Sequence, residues 1–250
     1  MRKKHFAEFY DAIASKPGAR RRARTILSYV KRYRPSARTI LELGTGNGNV
    51  LSSFPRKYEL YGLDIEEKYI ELTRQKVPRA RLFVASMHNF KIDPEFDVVF
   101  SIFDCINYLK TFKQWEQTFA SVHRHLKENG LFIFDMLTPN FIKDARHTEP
   151  KLSKRSFGFV SDDAAAIVKG NQLTQEFRIF EKEKDDMYRM HRYFIVERIF
   201  SPSRVEKALK RKFRVIARVP VEFSSWEAEK HASRLLYVMR KDQKDMKSSH

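Results

Sequence analysis

Short apolar runs alternate with amphipathic segments through the first 142 residues of the chain. The amphipathic segments carry apolar residues at helical spacing, and they predict helices at 6–14, from the Pro17-Gly18 break to 33, at 66–76 and at 113–127. The apolar runs between them predict strands at 40–43, 58–63, 81–85, 96–103 and 131–137. The run at 96–103 is apolar almost throughout, which is typical of a strand covered by helices on both sheet faces. Alternating strands and helices predict a parallel, doubly wound α/β sheet.

The pattern changes at about residue 143. From there to 199 the chain has β-like runs and no convincing helix. A capping box from Ser203 to Glu206 then predicts the start of a helix, and two strands are predicted after it, at 213–220 and 233–240. We therefore expect a Rossmann-like, doubly wound, seven-stranded, mostly parallel sheet with an inserted antiparallel β-lid. The predicted core is 1–142 with 200–240, the lid is 143–199, and 241–250 is a flexible tail.

A glycine turn follows the first predicted strand. Gly44, Gly46 and Gly48 occupy alternate positions after Glu42, and Asp64 ends the next apolar run about 20 residues later. Glycines permit positive φ angles and a close approach of a ligand to the backbone. A glycine turn with an acid on the neighbouring strand is how doubly wound sheets hold a nucleoside. The third glycine is too early for a dinucleotide site, which needs it three residues after the second.

Charge is concentrated at the start of the chain. The formal net charge is +18, and residues 1–40 contain 12 Lys or Arg against 2 Asp or Glu, which is 12 − 2 = +10. This asymmetry suggests an anionic partner, although simple solubility explains it equally well. The single cysteine, Cys105, fits a reducing cytoplasm. No 18-residue apolar run suggests a membrane span, and no Cys/His spacing suggests a metal site.

Several motifs together point to one family. Glu42-Leu43-Gly44-Thr45-Gly46-Asn47-Gly48 resembles motif I of the class I S-adenosylmethionine (SAM) methyltransferases. The closest likeness, over about 6–240, is to N-methyltransferases of amino-sugar biosynthesis, and the enzymes of glycine and sarcosine N-methylation are similar. The other segments that carry the resemblance are Tyr10-Asp11, Pro78 to Leu82, Phe103 to Leu109, and Gly130 to Asp135 with Thr138-Pro139.

The resemblance implies SAM as cofactor and a set of site residues. The expected cofactor-binding residues are Tyr10, Glu42, Gly44, Thr45, Gly46, Asn47, Gly48, Asp64, Ile65, Ser86, Met87, His88, Phe103 and Asp104. The expected catalytic residues are Asp104, Tyr108 and Tyr10. Four of these residues also have a purely structural interpretation: a helix cap for Asp64, core packing for Met87, a loop hydrogen bond for Asp104, and helix packing for Tyr10.

Two departures from the family concern the adenine loop and the N-terminal segment. Ser86 stands where the family usually has an Asp, so the adenine amino contact passes to backbone or water in our interpretation. Lys16 to Arg20 stands where the sugar branch has a Lys-Tyr pair, which weakens the amino-sugar assignment.

The expected activity is methyl transfer from SAM to a nitrogen or oxygen of a small-molecule acceptor. The basic N-terminal helix suggests that this acceptor is anionic. An RNA methyltransferase is the less favoured alternative, and a non-catalytic SAM-binding protein is another. We expect a cytoplasmic monomer or homodimer that does not contact a membrane.

Overall fold

The computed structural model describes residues 4–145, 151–185, 187–221 and 232–241. The helices are α1 Phe6–Ile13, α2 Lys16–Tyr33, α3 Glu67–Lys76, α4 Phe112–His125, α5 Pro139–Ala145 and α6 Pro202–Leu209. The strands are β1 Thr39–Leu43, β2 Glu59–Asp64, β3 Arg81–Val84, β4 Phe96–Ser101, β5 Leu126–Leu137, β6 Lys151–Arg155, β7 Gly158–Lys169, β8 Gln172–Lys182, β9 Tyr188–Arg198, β10 Phe213–Pro220 and β11 Arg234–Lys241. Short 3-10 helices follow β1 and β4 at Leu51–Ser53 and Cys105–Tyr108.

The larger sheet has seven strands in the order β10-β11-β5-β4-β1-β2-β3. Strands β3, β2, β1, β4 and β5 pair in parallel, and β11 joins β5 and β10 in antiparallel fashion. Helices cover both faces, so β1 and β4 are buried along their whole length. The predicted fold class, a Rossmann-like doubly wound and mostly parallel sheet, is confirmed.

The segment between α5 and α6 forms a separate antiparallel sheet in the order β6-β7-β8-β9. β7 is one strand with an irregular register between Asp163 and Ile167, where the sequence suggests two shorter runs. β6 carries no clear sequence signal and was not expected. The turn at Gly170 has φ +60, which suits glycine. The domain boundaries at 142, 200 and 240 stay a prediction, and 242–250 lie outside the described residues.

Three predicted helix boundaries are wrong. α2 begins at Lys16, so Pro17 and Gly18 lie in its first turn and do not form a break before it. α4 ends at His125, not 127, and Asn129 with its φ of +59 lies within β5 rather than in a helix cap. α6 begins at Pro202 after the cap Ser201, whose side chain accepts a hydrogen bond from the Arg204 N–H. Ser201 is a better cap than Ser203 because Pro202, which lacks an N–H, occupies the first helical position.

The core lies on both faces of the large sheet. Aromatic residues dominate the face under α4, where Phe119, Phe132, Phe134 and Tyr237 pack together. The opposite face packs α2 and the first strands around smaller aliphatic side chains. Within the described part of the chain, no helix has the length and apolar character needed to cross a membrane.

Asp97 ties the amino-terminal ends of β1 and β4 together. Its Oδ2 accepts hydrogen bonds from the N–H groups of Arg38 at 2.9 Å and Thr39 at 3.1 Å. Lys127 and Arg34 form ion pairs with the same carboxylate, each at 3.1 Å. Burial alone would raise the pKa of Asp97, but these donors outweigh it and hold the pKa well below its usual range. The carboxylate of Asp97 therefore stays ionised between the amino-terminal ends of β1 and β4.

Asp97→Asn should lower the free energy of unfolding by about 1.5–3 kcal/mol near neutral pH, the range for hydrogen bonds to a charged group. Because the pKa of Asp97 is lowered in the folded state, its stabilisation is present above the unfolded value of about 3.9 and is lost as pH falls through the folded value. Denaturant unfolding near pH 7 and near pH 3 should therefore show a smaller gap between the two proteins in acid.

The matched control is Glu95→Gln, an exposed carboxylate two residues away. It should change the free energy of unfolding by less than about 0.5 kcal/mol. Equal stability of wild type and Asp97→Asn near pH 7 would show that the cluster contributes nothing.

Candidate active site

The glycine turn is fixed by hydrogen bonds to the neighbouring strand. The N–H groups of Gly44 and Thr45 both donate to the Leu63 carbonyl, at 2.7 and 3.0 Å. Thr73 of α3, which is fully buried, donates from its hydroxyl to the Gly46 carbonyl at 2.9 Å. The turn therefore has one conformation, set by β2 on one side and α3 on the other.

The three glycines serve different purposes, although all have positive φ angles. A Cβ on Gly44 would lie 2.0 Å from the Cys105 sulfur, and one on Gly48 would lie 2.9 Å from the Thr73 hydroxyl. These two glycines are required by packing inside the protein. A Cβ on Gly46 would meet only Tyr10, at 3.8 Å, so Gly46 is the glycine at which a ligand can approach the backbone.

Asp64 ends β2 beside this turn. Its two carboxylate oxygens accept hydrogen bonds from the N–H groups of Gly46 at 2.9 Å and Glu66 at 3.1 Å. Each oxygen can accept a further bond, which suits a pair of ligand hydroxyls. Burial raises the pKa of Asp64, and the two N–H donors lower it in part. The N-cap of α3 is Glu66 and not Asp64, but Asp64 accepts the Glu66 N–H and also lines the cavity described below. Its expected role toward the ribose stays a prediction.

Two buried polar atoms near the turn have no partner among the described residues. They are Glu42 Oε2, an acceptor, and Asn49 Nδ2, a donor. Burial, together with the nearby Asp64, raises the pKa of Glu42 well above its usual range. Unpartnered buried polar groups are costly in a folded protein. An amino-acid group, with its ammonium and its carboxylate, would offer a partner to each of these atoms.

Helix α1 is attached directly to the glycine turn. Asp11 accepts a hydrogen bond from the Asn47 side chain at 2.9 Å and pairs with Lys76. Lys76 also donates to Asn49 Oδ1 at 2.9 Å. These contacts hold the ring of Tyr10, the preceding residue, over Gly46. On its other side α1 packs Phe9 against the second sheet.

A cavity of about 510 Å³ lies between the turn, α1, the 3-10 helix after β4, and β9. The predicted site residues that line it are Tyr10, Glu42, Gly44, Thr45, Gly46, Asn47, Asp64, Ile65, Ser86, Met87, Phe103 and Tyr108. Three predicted site residues, Gly48, His88 and Asp104, are not among the residues that line it. The structure thus brings most of the predicted residues into one space, and their roles stay predictions.

Ser86 and His88 form a pair at the edge of the cavity, with the Ser86 hydroxyl 2.6 Å from His88 Nδ1. Ser86 lines the cavity and His88 lies behind it. The imidazole therefore orients the hydroxyl that stands at the family's usual Asp position. His88 therefore contacts the lining through Ser86, and its expected role in cofactor binding stays a prediction.

Three tyrosine side chains, Tyr10, Tyr69 and Tyr108, reach the same cavity. Burial, with smaller contributions from Asp104 and other nearby groups, raises the pKa of Tyr10 to about 12. Burial likewise raises the pKa of Tyr69 and Tyr108. All three hydroxyls are therefore neutral at physiological pH. Tyr108 is nonetheless half accessible, because its ring faces the cavity.

Asp104 belongs to a buried charge cluster behind the cavity. Arg234 binds it with two hydrogen bonds, Nη1 to Oδ1 at 2.8 Å and Nη2 to Oδ2 at 2.9 Å. Asp135 accepts the Asp104 N–H at 2.7 Å and lies 3.5 Å from Arg234 and 3.9 Å from Arg22. Both carboxylate oxygens of Asp104 are thus bound by Arg234, and its expected role toward a substrate amine or the SAM ammonium stays a prediction.

Glu197 of β9 adds a third carboxyl to this cluster. Burial, together with the neighbouring Asp104, raises the pKa of Glu197 to about 9, so it carries a proton near neutral pH. Its Oε1 is buried without a partner among the described residues. The pKa of Arg234 is raised, because its carboxylate neighbours outweigh the effect of burial. With Arg22, the cluster therefore holds two cations, two anions and one neutral acid.

The cluster also supports a strained segment of backbone. Phe103 and Asp104 have φ angles of +59 and +54, which non-glycine residues rarely adopt. The double hydrogen bond from Arg234 holds Asp104 in this conformation. The ring of Phe103 then lies 5.3 Å from the Arg22 guanidinium, and the residue lines the cavity.

Sequence reasoning missed Tyr69, Asn49, Glu197, Arg234 and the cavity-lining part of β9 at 194–196. Tyr69 could have been found, since it precedes Thr73 by one helical turn on the face of α3 that meets the glycine turn. Arg234 and Glu197 meet Asp104 across 130 and 93 residues of sequence (234 − 104 and 197 − 104), and no local pattern signals such a contact.

The chain was compared with known families and proteins. Residues 40–130 match the model of a family described as a methyltransferase domain. A relative from Streptomyces venezuelae, dTDP-3-amino-3,4,6-trideoxy-alpha-D-glucopyranose N,N-dimethyltransferase, is 28% identical over 114 residues. That alignment covers 45% of this chain and 48% of the relative, so the chain spans about half the length of this curated relative.

Solved structures resemble nearly the whole chain. A SAM-dependent methyltransferase from Clostridium acetobutylicum has a TM-score of 0.80 at 19% identity, covering 95% of this chain and 98% of that one. CalS10, an amino pentose methyltransferase from Micromonospora echinaspora solved with SAM bound, has a TM-score of 0.75 at 17% identity, covering 96% and 98%. The expected resemblance is thereby confirmed. Residues 40–130 are a methyltransferase domain, in a chain that has the fold of the SAM-dependent methyltransferases.

Proposed function

We propose that the protein transfers a methyl group from SAM to an amino nitrogen of a small molecule. The observation that carries this proposal is a cavity lined both by Asp64, Gly46 and the unpartnered Glu42 and by aromatic side chains. The amino-sugar N-methyltransferases among the relatives support nitrogen over oxygen. The comparisons do not favour the RNA or non-catalytic alternatives.

The residues present fit SAM as the donor. Asp64 would accept both ribose hydroxyls, and Glu42 and Asn49 would take the ammonium and carboxylate of the methionine part. Ile65 and Met87 offer apolar contacts for the adenine, beside the Ser86 hydroxyl. When bound, SAM supplies a methyl group on a sulfonium, which is already an activated leaving group.

The protein's own contribution is to position the amine and to exclude water. Residues of α1 and β9 line the cavity, and the aromatic rings of Tyr10, Phe103 and Tyr108 form part of its wall. Tyr10 presents a neutral hydroxyl and a ring face, both of which favour a cation. No residue needs to act as a general base in this scheme, provided that the amine enters unprotonated. Cytoplasmic location and oligomeric state stay predictions.

Replacing Asp64 tests the donor half of the cavity. Asp64→Ala should weaken SAM binding by about 1–3 kcal/mol, the cost of leaving buried hydroxyls without partners. Isothermal titration calorimetry with SAM and with S-adenosylhomocysteine measures this change. The control is Glu67→Ala, an exposed carboxylate three residues later that does not line the cavity. Unchanged affinity in Asp64→Ala would show that the ribose binds elsewhere.

A methyl-transfer screen tests the activity itself. With labelled SAM, wild-type protein should methylate small primary or secondary amines, and mass spectrometry of the product should place the methyl group on nitrogen. Alcohols of the same shape and total RNA serve as comparison acceptors. Labelling of RNA in preference to every amine, or the absence of SAM binding, would contradict the proposed function.

A further inference from the structure

The acceptor end of the cavity has an apolar and hydroxyl-bearing wall. Large side chains that would normally be buried are open to it: Tyr108 is 50% exposed, Phe194 56% and Val196 42%. All three line the cavity together with Phe103. Side chains of this kind contact a ligand through aromatic faces and methyl groups.

The ionisable acidic and basic side chains that line the cavity are carboxyl groups and His5, which lies 3.6 Å from Glu66. Glu42, Asp64 and Glu66 line it, and the lining residues from the described part of the chain include no lysine or arginine. Asp64 and Glu42 face the donor. Among the described residues the cavity therefore presents no lysine or arginine to a ligand, in a chain whose formal net charge is +18.

The cations behind the acceptor end, Arg22 and Arg234, are already paired. Arg234 makes two hydrogen bonds to Asp104 and lies 3.5 Å from Asp135, which Arg22 approaches at 3.9 Å. These contacts are buried: the Asp135 side chain is 0% exposed and that of Arg234 14%. An incoming anion would have to displace a buried carboxylate to reach either guanidinium.

The exposed arginines of α2 do not alter this arrangement. Arg20, Arg21 and Arg24 face solvent and do not line the cavity, whereas α2 contributes the small Ala19 to the lining. The Arg192 guanidinium lies 5.5 Å from the ring of Phe194, and it already pairs with Glu176. With respect to the described residues, a phosphate in the cavity would therefore lose its hydration without gaining an uncompensated cation. An amine would instead meet aromatic faces and hydroxyl oxygens, which attract positive charge.

We propose that the acceptor is a small amine without an attached phosphate or diphosphate. This rests on the proposed function and narrows it. It differs from the anionic acceptor suggested by the basic N-terminal residues, and from the dTDP-linked amino sugar in the name of the Streptomyces relative. Amine recognition then depends on Phe103, Tyr108 and Phe194.

Matched acceptors test the proposal in the wild-type protein. Amino sugars are offered free, as their 1-phosphates and as their nucleoside-diphosphate conjugates, and kcat/KM is measured for each with labelled SAM. The free amine should be used at least about tenfold more efficiently, a difference of 1.4 kcal/mol. Equal use of the forms, or preference for a phosphate-bearing one, overturns the proposal.

A binding measurement separates this inference from the proposed function. Inorganic pyrophosphate and thymidine diphosphate are titrated into protein loaded with S-adenosylhomocysteine at physiological salt, where no turnover is needed. Binding weaker than millimolar supports the inference, and tighter binding that competes with an amine overturns it. Failure to methylate any amine contradicts the proposed function, while the titrations still decide the charge preference of the cavity.

Adding a cation to the cavity wall tests whether positive charge there increases the affinity for phosphate groups. Phe194→Lys adds an ammonium to the exposed cavity wall and should strengthen pyrophosphate binding at least about tenfold. The control is Met190→Lys, four residues earlier on the same strand, where a 52% exposed side chain lies outside the cavity lining. Equal binding by the two variants would show that charge inside the cavity does not set the preference, and would overturn the proposal.

Discussion

The site depends on one left-handed backbone turn held between two neighbouring elements. Because Gly44 and Thr45 both donate to the Leu63 carbonyl, the end of β1 cannot move independently of β2. Asp64, the next residue on β2, then reaches the Gly46 N–H. A carboxylate and an open glycine are thereby placed side by side without any contribution from a ligand. The packing of Gly44 on Cys105 and of Gly48 on Thr73 makes this conformation the only one that the core accommodates.

The other walls of the cavity are attached to this turn by polar contacts at their edges. Asp11 joins α1 to Asn47 and Lys76, so the aromatic face of α1 follows the turn. On the opposite side, Asn107 donates to the Arg198 carbonyl at 2.9 Å and accepts the Leu137 N–H at 3.0 Å. This amide connects β9 of the second sheet to β5 of the first. The cavity is closed by two elements, each anchored to the large sheet beside it.

The sequence was sufficient for the large sheet and for most of the residues that line the cavity. Strand periodicity and the glycine spacing are local properties, and in the large sheet the structure reproduces the predicted strands with end shifts of at most five residues. The sequence was insufficient where contacts between residues distant in the chain determine the structure. Asp104 follows β4, and the residues next to it in the sequence do not indicate an ion pair. In the structure Arg234 of β11 forms two hydrogen bonds with its carboxylate. Proline chemistry, rather than the capping-box pattern, fixed the start of α6 at Pro202. The unexpected β6 forms because β7 offers it an edge, which is a property of the sheet rather than of the segment.

Net charge was the least informative feature of the sequence for the site, for a physical reason. Screening limits the reach of exposed charges to about 8 Å at physiological ionic strength. Arg20, Arg21 and Arg24 lie on the solvent side of α2, whereas Arg22, one position away, turns inward and is taken up by Asp135. Because neighbouring residues of a helix point in different directions, three arginines of this cluster face solvent and the fourth, Arg22, lies near the buried Asp135. What a ligand meets is set by the groups within a few ångströms of it, and here these are carboxylates, hydroxyls and aromatic rings.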